Sequence, residues 1–187
     1  METQGGDNYP SFDPTVFKTA SPIYGTGNVS TLEFYQDDGP TSTVYGKTID
    51  RNNAQGALCY AVNLRGYFVP PTTGEYTITL NADDIVMFWV GATAYSGWTR
   101  PNANLESVIF VSNNAQLKFT LEQGVKTPFR IVFGNCPSNG ILQVRLIGPG
   151  GEALIDSSGT VDATAVITDG CAGDASAPPF APFGSET

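Results

Sequence analysis

The chain has 187 residues, 41% of them hydrophobic, with 9 Lys+Arg against 18 Asp+Glu for a formal net charge of −9. That length and apolar content suit one domain with one sizeable core, and the acidic balance argues against nucleic acid or anionic membrane as partner, since both need a basic face. Histidine is absent, which removes Ser-His-Asp and Cys-His catalysis, histidine acid–base chemistry and the usual zinc sites.

Residues 1–27 are rich in Gly, Pro, Asp and Thr and read as an irregular lead-in. Met1-Glu2-Thr3 resembles an expression start on a mature fragment, and no signal peptide or membrane-length apolar run is recognisable. Asn28-Val29-Ser30 is a lone Asn-x-Ser/Thr sequon. Val29, Leu32, Phe34 and Tyr35 suggest a first edge strand, and Asp37-Asp38-Gly39-Pro40 an ordinary turn.

Further strands are expected at 57–69, 75–81, 85–90, 107–111, 117–121, 129–133 and 142–147, with no useful helical periodicity between them. Their inward sets would include Val108/Phe110, Leu117/Phe119/Leu121, Phe129/Ile131/Phe133 and Leu142/Val144/Leu146. Residues 91–104 form a long polar loop carrying Tyr95, Trp98 and Arg100. The pattern is that of an all-β antiparallel sandwich or barrel. We expect a lead-in over 1–27, the folded domain over 28–168, and a Pro/Gly/Ala-rich tail or strap over 169–187. Cys59, Cys136 and Cys171 imply either one disulfide with a leftover thiol, in an oxidising compartment, or three buried thiols in a reducing one.

The chemistry concentrates at Asp83-Asp84. Tyr76, Ile78, Leu80 and Ala82 alternate with polar residues before the pair, and Ile85 to Val90 is apolar throughout after it. A regular strand would send one carboxylate into the core, where an unpaired charge costs several kcal/mol, of order 5. The backbone is therefore expected to leave strand geometry, either as a tight turn with solvated aspartates or with both carboxylates converging on a cation.

The stretch Gly66-Tyr67-Phe68-Val69-Pro70-Pro71-Thr72-Thr73-Gly74-Glu75-Tyr76, followed by Ala82-Asp83-Asp84-Ile85 and the loop from Ala94 to Arg100, resembles the GLEYA domain of fungal cell-wall adhesins. That family belongs with yeast flocculins and anthrax protective antigen in a lectin-like superfamily. The resemblance implies a flocculin-type sandwich with long ligand-binding loops. It also implies a cis peptide joining Asp83 to Asp84, and a calcium ion held by Asp83, Asp84, the Asn135 side chain and the backbone oxygens of Pro137 and Asn139. Vicinal hydroxyls of a terminal sugar would complete the coordination, with Asp83, Asp84 and Asn135 touching glycan as well as metal. Arg100 could hydrogen-bond the ligand, and Trp98 is either a sugar-stacking platform or a loop anchor. Loops 91–104 and 135–140 would select the sugar.

The implied function is a calcium-dependent lectin, the extracellular head of a cell-wall adhesin. Its partners would be terminal sugars of cell-surface or cell-wall glycans, with no catalysis, no membrane contact and a monomeric isolated domain. A carbohydrate-active hydrolase and a structural or protein-binding sandwich are the alternatives.

Overall fold

The structure, a computed structural model, describes residues 11–50, 59–136, 139–168, 170 and 173–187. Two five-stranded antiparallel sheets face each other. The first has the order β1 (Phe34–Gln36), β10 (Gly140–Ile147), β5 (Gly74–Asp83) and β8 (Ala115–Leu121), with β11 (Ala153–Ile155) also pairing with β10. The second runs β12 (Val166–Ile167), β4 (Tyr60–Phe68), β9 (Thr127–Asn135), β6 (Ile85–Val90), β7 (Leu105–Val108). A separate hairpin, β2 (Thr41–Val44) with β3 (Lys47–Asp50), turns through Tyr45 and Gly46, both at positive φ. Two residues with positive φ are what a tight hairpin turn requires. Among the described residues, the helical elements are short, α1 (Ala92–Tyr95) and 3-10 segments at Pro14–Lys18 and Arg100–Asn102.

The periodicities explain the layers. Tyr76, Ile78, Leu80 and Ala82 of β5 are buried and join the main core between the sheets. All six residues of β6 are apolar because both of its faces are covered. Val86 and Phe88 enter the main core, whereas Ile85, Met87 and Trp89 form a second cluster with Ala94, Trp98 and Val132, against which Phe12 and Phe17 of the lead-in pack.

Three expectations need correction or refinement. The strand placed at 107–111 stops at Val108, and Phe110, expected inward, has φ 62° and is 88% exposed. The β2–β3 hairpin was not anticipated, because its strands are short and mostly polar. The long strand expected over 57–69 is described from Tyr60 to Phe68, residues 57–58 lying outside the described set.

The last residues of the chain form a strap across the outer face of the second sheet. Glu186 is buried there, with its carboxylate against Arg65 and 2.9 Å from Arg130 Nη2. The second contact pairs charges without hydrogen-bond alignment. Arg130 is fully buried; its Nε donates to the Ala94 carbonyl at 3.1 Å and its Nη1 to Asn63 Oδ1 at 2.7 Å. Burial lowers its pKa to about 10, with Glu186 acting in the opposite direction, so it stays charged at neutral pH. Removing one partner of a buried ion pair strands the others in low dielectric. Glu186→Gln should therefore destabilise the fold by about 3 kcal/mol, a fall of roughly 6–12 °C in melting temperature. Glu75→Gln, which removes an exposed pair with Lys118, should change stability by less than about 1 kcal/mol. Thermal melts of the two variants check this.

Candidate metal and ligand site

Asp83 ends β5 in one sheet and Ile85 begins β6 in the other, so the acidic pair is the corner where the chain changes sheets. The Asp83–Asp84 peptide is cis. Asp84 is 4% exposed and Asp83 is half-buried. The two side chains lie within hydrogen-bonding reach of each other. Burial, then the hydrogen bond and charge of Asp84, push the Asp83 carboxyl up to about 6.

Neighbouring backbone fixes the corner. Asp84 Oδ2 accepts from the Cys136 N–H at 2.5 Å, the Asp84 carbonyl from Ile109 N–H at 2.8 Å, and the Asp84 N–H donates to the Gly134 carbonyl at 3.4 Å. Cys136 is in turn joined to Cys59, at the start of β4, by a disulfide. This resolves the cysteine question for one pair; Cys171 lies outside the described residues.

Asn135 comes to the same place. It ends β9, is 1% exposed, and its side-chain amide reaches the Asn139 carbonyl at 3.0 Å and the Asp83 carbonyl at 2.9 Å. With its NH2 turned toward them it donates to both. With its oxygen turned toward them, and its Nδ2 donating to Gln36 Oε1 at 3.3 Å, three oxygens converge, an arrangement that a cation stabilises. Gly140 makes room for this: a Cβ there would lie 3.1 Å from the Asn135 Cγ and 2.6 Å from Tyr60 Oη.

The set therefore holds two carboxylates, one amide oxygen and peptide oxygens, the hard oxygen donors that suit calcium. Among the described residues no group of three His, Cys, Asp or Glu side chains could hold a metal, so any ion here depends on the amide and carbonyl oxygens. The structure brings Asp83, Asp84, Asn135 and the Asn139 carbonyl together. Pro137 lies outside the described residues.

Trp98 and Arg100 are elsewhere. The connection 91–104 leaves the Val90 end of β6, six residues from the acidic corner, or roughly 20 Å. Trp98 is fully buried, with Nε1 donating to Glu186 Oε2 at 3.1 Å, the Arg130 guanidinium 4.5 Å from its ring and Trp89 packed against it edge-on. It offers no face to a sugar; of the two roles considered, it is the anchor. Arg100 makes a two-point ion pair with Glu106, at 2.8 and 2.9 Å, and donates to the Phe12 carbonyl at 3.1 Å. Its guanidinium is committed to the second sheet's outer face rather than to the corner. Loop 91–104 is likewise displaced from the corner, since β6 runs away from it.

The corner is instead bordered by the β7–β8 connection. Its base is pinned by Ser112, whose Oγ accepts from Val108 N–H at 2.9 Å and whose carbonyl accepts from Ser107 Oγ at 3.0 Å. Beyond that base Phe110 and Val111 project, 88% and 80% exposed, next to Ile109, which bonds Asp84. The second acidic pair, Asp37-Asp38, follows β1 at the same end and forms the expected turn, with the Asp37 carbonyl accepting from Gln36 and Ser42 side chains.

Residues 60–148 match the GLEYA domain family. Comparison with curated proteins gives no match. Among solved structures, the chain is similar to the A domain of epithelial adhesin 6 from Candida glabrata, solved with Galβ1-3GlcNAc (TM-score 0.57, 22% identity, covering 70% of this chain and 64% of that one). It is also similar to the A domain of epithelial adhesin 9 from the same organism, solved with Galβ1-4GlcNAc (0.53, 17%, 65% and 62%). A third similar structure is an anti-sigma factor domain-containing protein from Clostridium clariflavum (0.53, 14%, 81% and 44%). This chain spans less than two thirds of the length of either adhesin domain. These likenesses establish the fold, an antiparallel β-sandwich of the adhesin lectin type. The stretch that resembles the GLEYA domain family therefore runs from Tyr60 at the start of β4 to Gly148 just beyond β10.

Proposed function

We propose that this domain is a calcium-dependent lectin, an extracellular adhesin head that binds terminal sugars of cell-surface or cell-wall glycans. The observation that carries the reading is the cis-linked Asp83–Asp84 pair with its carboxyl groups in contact, beside the Asn135 amide, which lies against the Asp83 and Asn139 carbonyls at the same corner of the sandwich. Support also comes from the sugar-bound state of the two similar adhesin domains. When bound, calcium would supply open coordination positions for vicinal sugar hydroxyls. Asp83 and Asp84 provide the negative charge, and Asn135, held by its burial and by Gly140, provides a neutral oxygen at a defined position. Cys136 fixes Asp84 through its N–H and the Cys59 disulfide. Phe110 and Val111 form an apolar wall suited to the C–H face of a pyranose. Many copies on two surfaces would turn modest affinity into adhesion.

A hydrolytic reading is disfavoured by geometry. Glycosidic cleavage uses carboxylates set roughly 5–9.5 Å apart on either side of the scissile bond, whereas Asp83 and Asp84 share a hydrogen bond. A glycan array run with and without chelator tests the proposal. Glycan binding that survives chelation overturns the calcium mechanism, and absence of binding in calcium favours a structural sandwich.

The acidic pair makes two opposed contributions that one variant separates. In the folded chain the Asp83 carboxyl stands at about 6 against 3.8 for the ordinary group. Without calcium, stability from this group is full below pH ~4 and is lost as pH rises through 6. In chelator at pH 7, Asp83→Asn should therefore melt higher than the parent, and its melting temperature should fall less between pH 4 and 7. In calcium the order should reverse, because only the parent gains ligand stabilisation, about 2.7 kcal/mol at a hundredfold excess over Kd. Melting curves across that pH range, with and without calcium, provide the check.

Phe110→Ala should weaken glycan binding about tenfold, the worth of one aromatic contact, while leaving calcium affinity and melting temperature unchanged because the ring is exposed. Trp98→Ala should do the opposite, lowering stability by about 3–5 kcal/mol as a buried aromatic truncation. Calorimetric titration of both variants distinguishes wall from anchor.

A further inference from the structure

The far side of β4 carries a feature that the metal corner does not use. Strand β12 pairs with β4 only at Phe68 and Tyr67. Among the described residues no strand pairs with the remaining length of that edge. Two cavities of about 210 and 440 Å³ run alongside it. Ala61, Val62, Asn63 and Leu64 all line the first, and Asn63, Leu64 and Arg65 the second. Successive strand residues point to opposite faces, so a cavity touching all of them lies against the open edge itself. Its opposite wall is the irregular segment 22–29, held in place where the Val161 N–H donates to the Ser30 carbonyl at 3.1 Å.

Asn28 stands in that wall, lines both cavities, and has an exposed side chain in a segment without regular structure. It opens the sequon Asn28-Val29-Ser30, whose middle residue is not proline. Across the cavity, Asn63 lines both spaces, and its Oδ1 is taken by Arg130. Ile23, 62% exposed, and Tyr24 add apolar surface beside it. A pyranose combines an apolar C–H face with a polar rim, which suits apolar surface set beside a strand edge.

We propose that Asn28 is N-glycosylated and that its first sugar seats along the edge of β4 at Ala61–Leu64. In the transfer, Asn28 Nδ2 forms a bond to C1 of an oligosaccharide carried on a polyprenyl diphosphate. The C1–O bond breaks, the polyprenyl diphosphate leaves with the electron pair, and the amide gives up one proton. The sugar covers the edge of β4 at Ala61–Leu64, which no strand joins among the described residues; an exposed strand edge is a template for aggregation. This modification rests on the extracellular placement proposed above, and its site is separate from the Asp83–Asp84 corner.

The test is secretion of the parent and of Asn28→Gln from a glycosylating eukaryotic host. Intact and peptide masses should show hexosamine on the Asn28 peptide of the parent, lost in the variant. Amide exchange at Ala61–Leu64 should be about tenfold slower in the glycosylated parent than in Asn28→Gln. An unmodified Asn28 in the secreted parent overturns the proposal, and an occupied Asn28 with unchanged exchange at Ala61–Leu64 overturns the seating. Asn28→Gln should keep the calcium-dependent glycan binding of the parent. Loss of that binding in both proteins, with Asn28 occupied, would count against the lectin reading and leave the modification standing.

Discussion

Two carboxylates cannot leave water side by side without repelling each other, and the Asp83–Asp84 corner imposes that situation on the fold. It is the single crossing by which β5 of one sheet becomes β6 of the other. Its apolar flanks belong to the core on both sides. The corner cannot simply swing outward, because Tyr76, Ile78, Leu80 and Ala82 on one side and Val86 and Phe88 on the other are committed to the space between the sheets. Charge is thus held in place by packing, and the raised carboxyl of Asp83 is the thermodynamic trace of that constraint.

The second sheet supplies the complementary rigidity. Its strand β6 is covered on one face by the main core and on the other by Trp98, Ala94 and the lead-in phenylalanines. Alongside, β9 ends at Asn135, so the same strand that buries Arg130 in its middle delivers the amide to the corner at its end. Cys136 then ties the following loop back to β4. Asn135 is thus held at a strand end flanked by β4 and β6 rather than on a soft loop.

Much of this was legible from residues. The alternation of β5, the continuous apolar run of β6 and the oddness of adjacent aspartates between them are local signals, and local signals survive folding. Asn135 and Asn139 were reachable only through family resemblance, since nothing in a polar hairpin loop distinguishes a ligand from a turn residue. Trp98 and Arg100 were placed near the site because they follow it closely in sequence. Counting strand directions would have corrected this: a chain that turns at Asp84 and runs six residues along β6 arrives at the opposite end. Phe110 was misplaced because the apolar alternation runs two residues past the strand end at Val108, to the residue where the backbone turns to positive φ. The Glu186 cluster joins residues more than fifty positions apart and had no sequence signature at all.

That cluster has a mechanical meaning. The carboxylate of Glu186 sits among Arg65, Arg130 and the Trp98 indole, so a pull on the C-terminal strap is first resisted by a buried charge contact. The load passes into β4 and β9, which are zipped to each other from Tyr60–Asn135 to Phe68–Thr127. Tension directed along the strands of such a ladder must shear many hydrogen bonds together instead of opening them one at a time. The acidic corner, lying near the end of β9 and four residues beyond Arg130, is set apart from the point where that load enters.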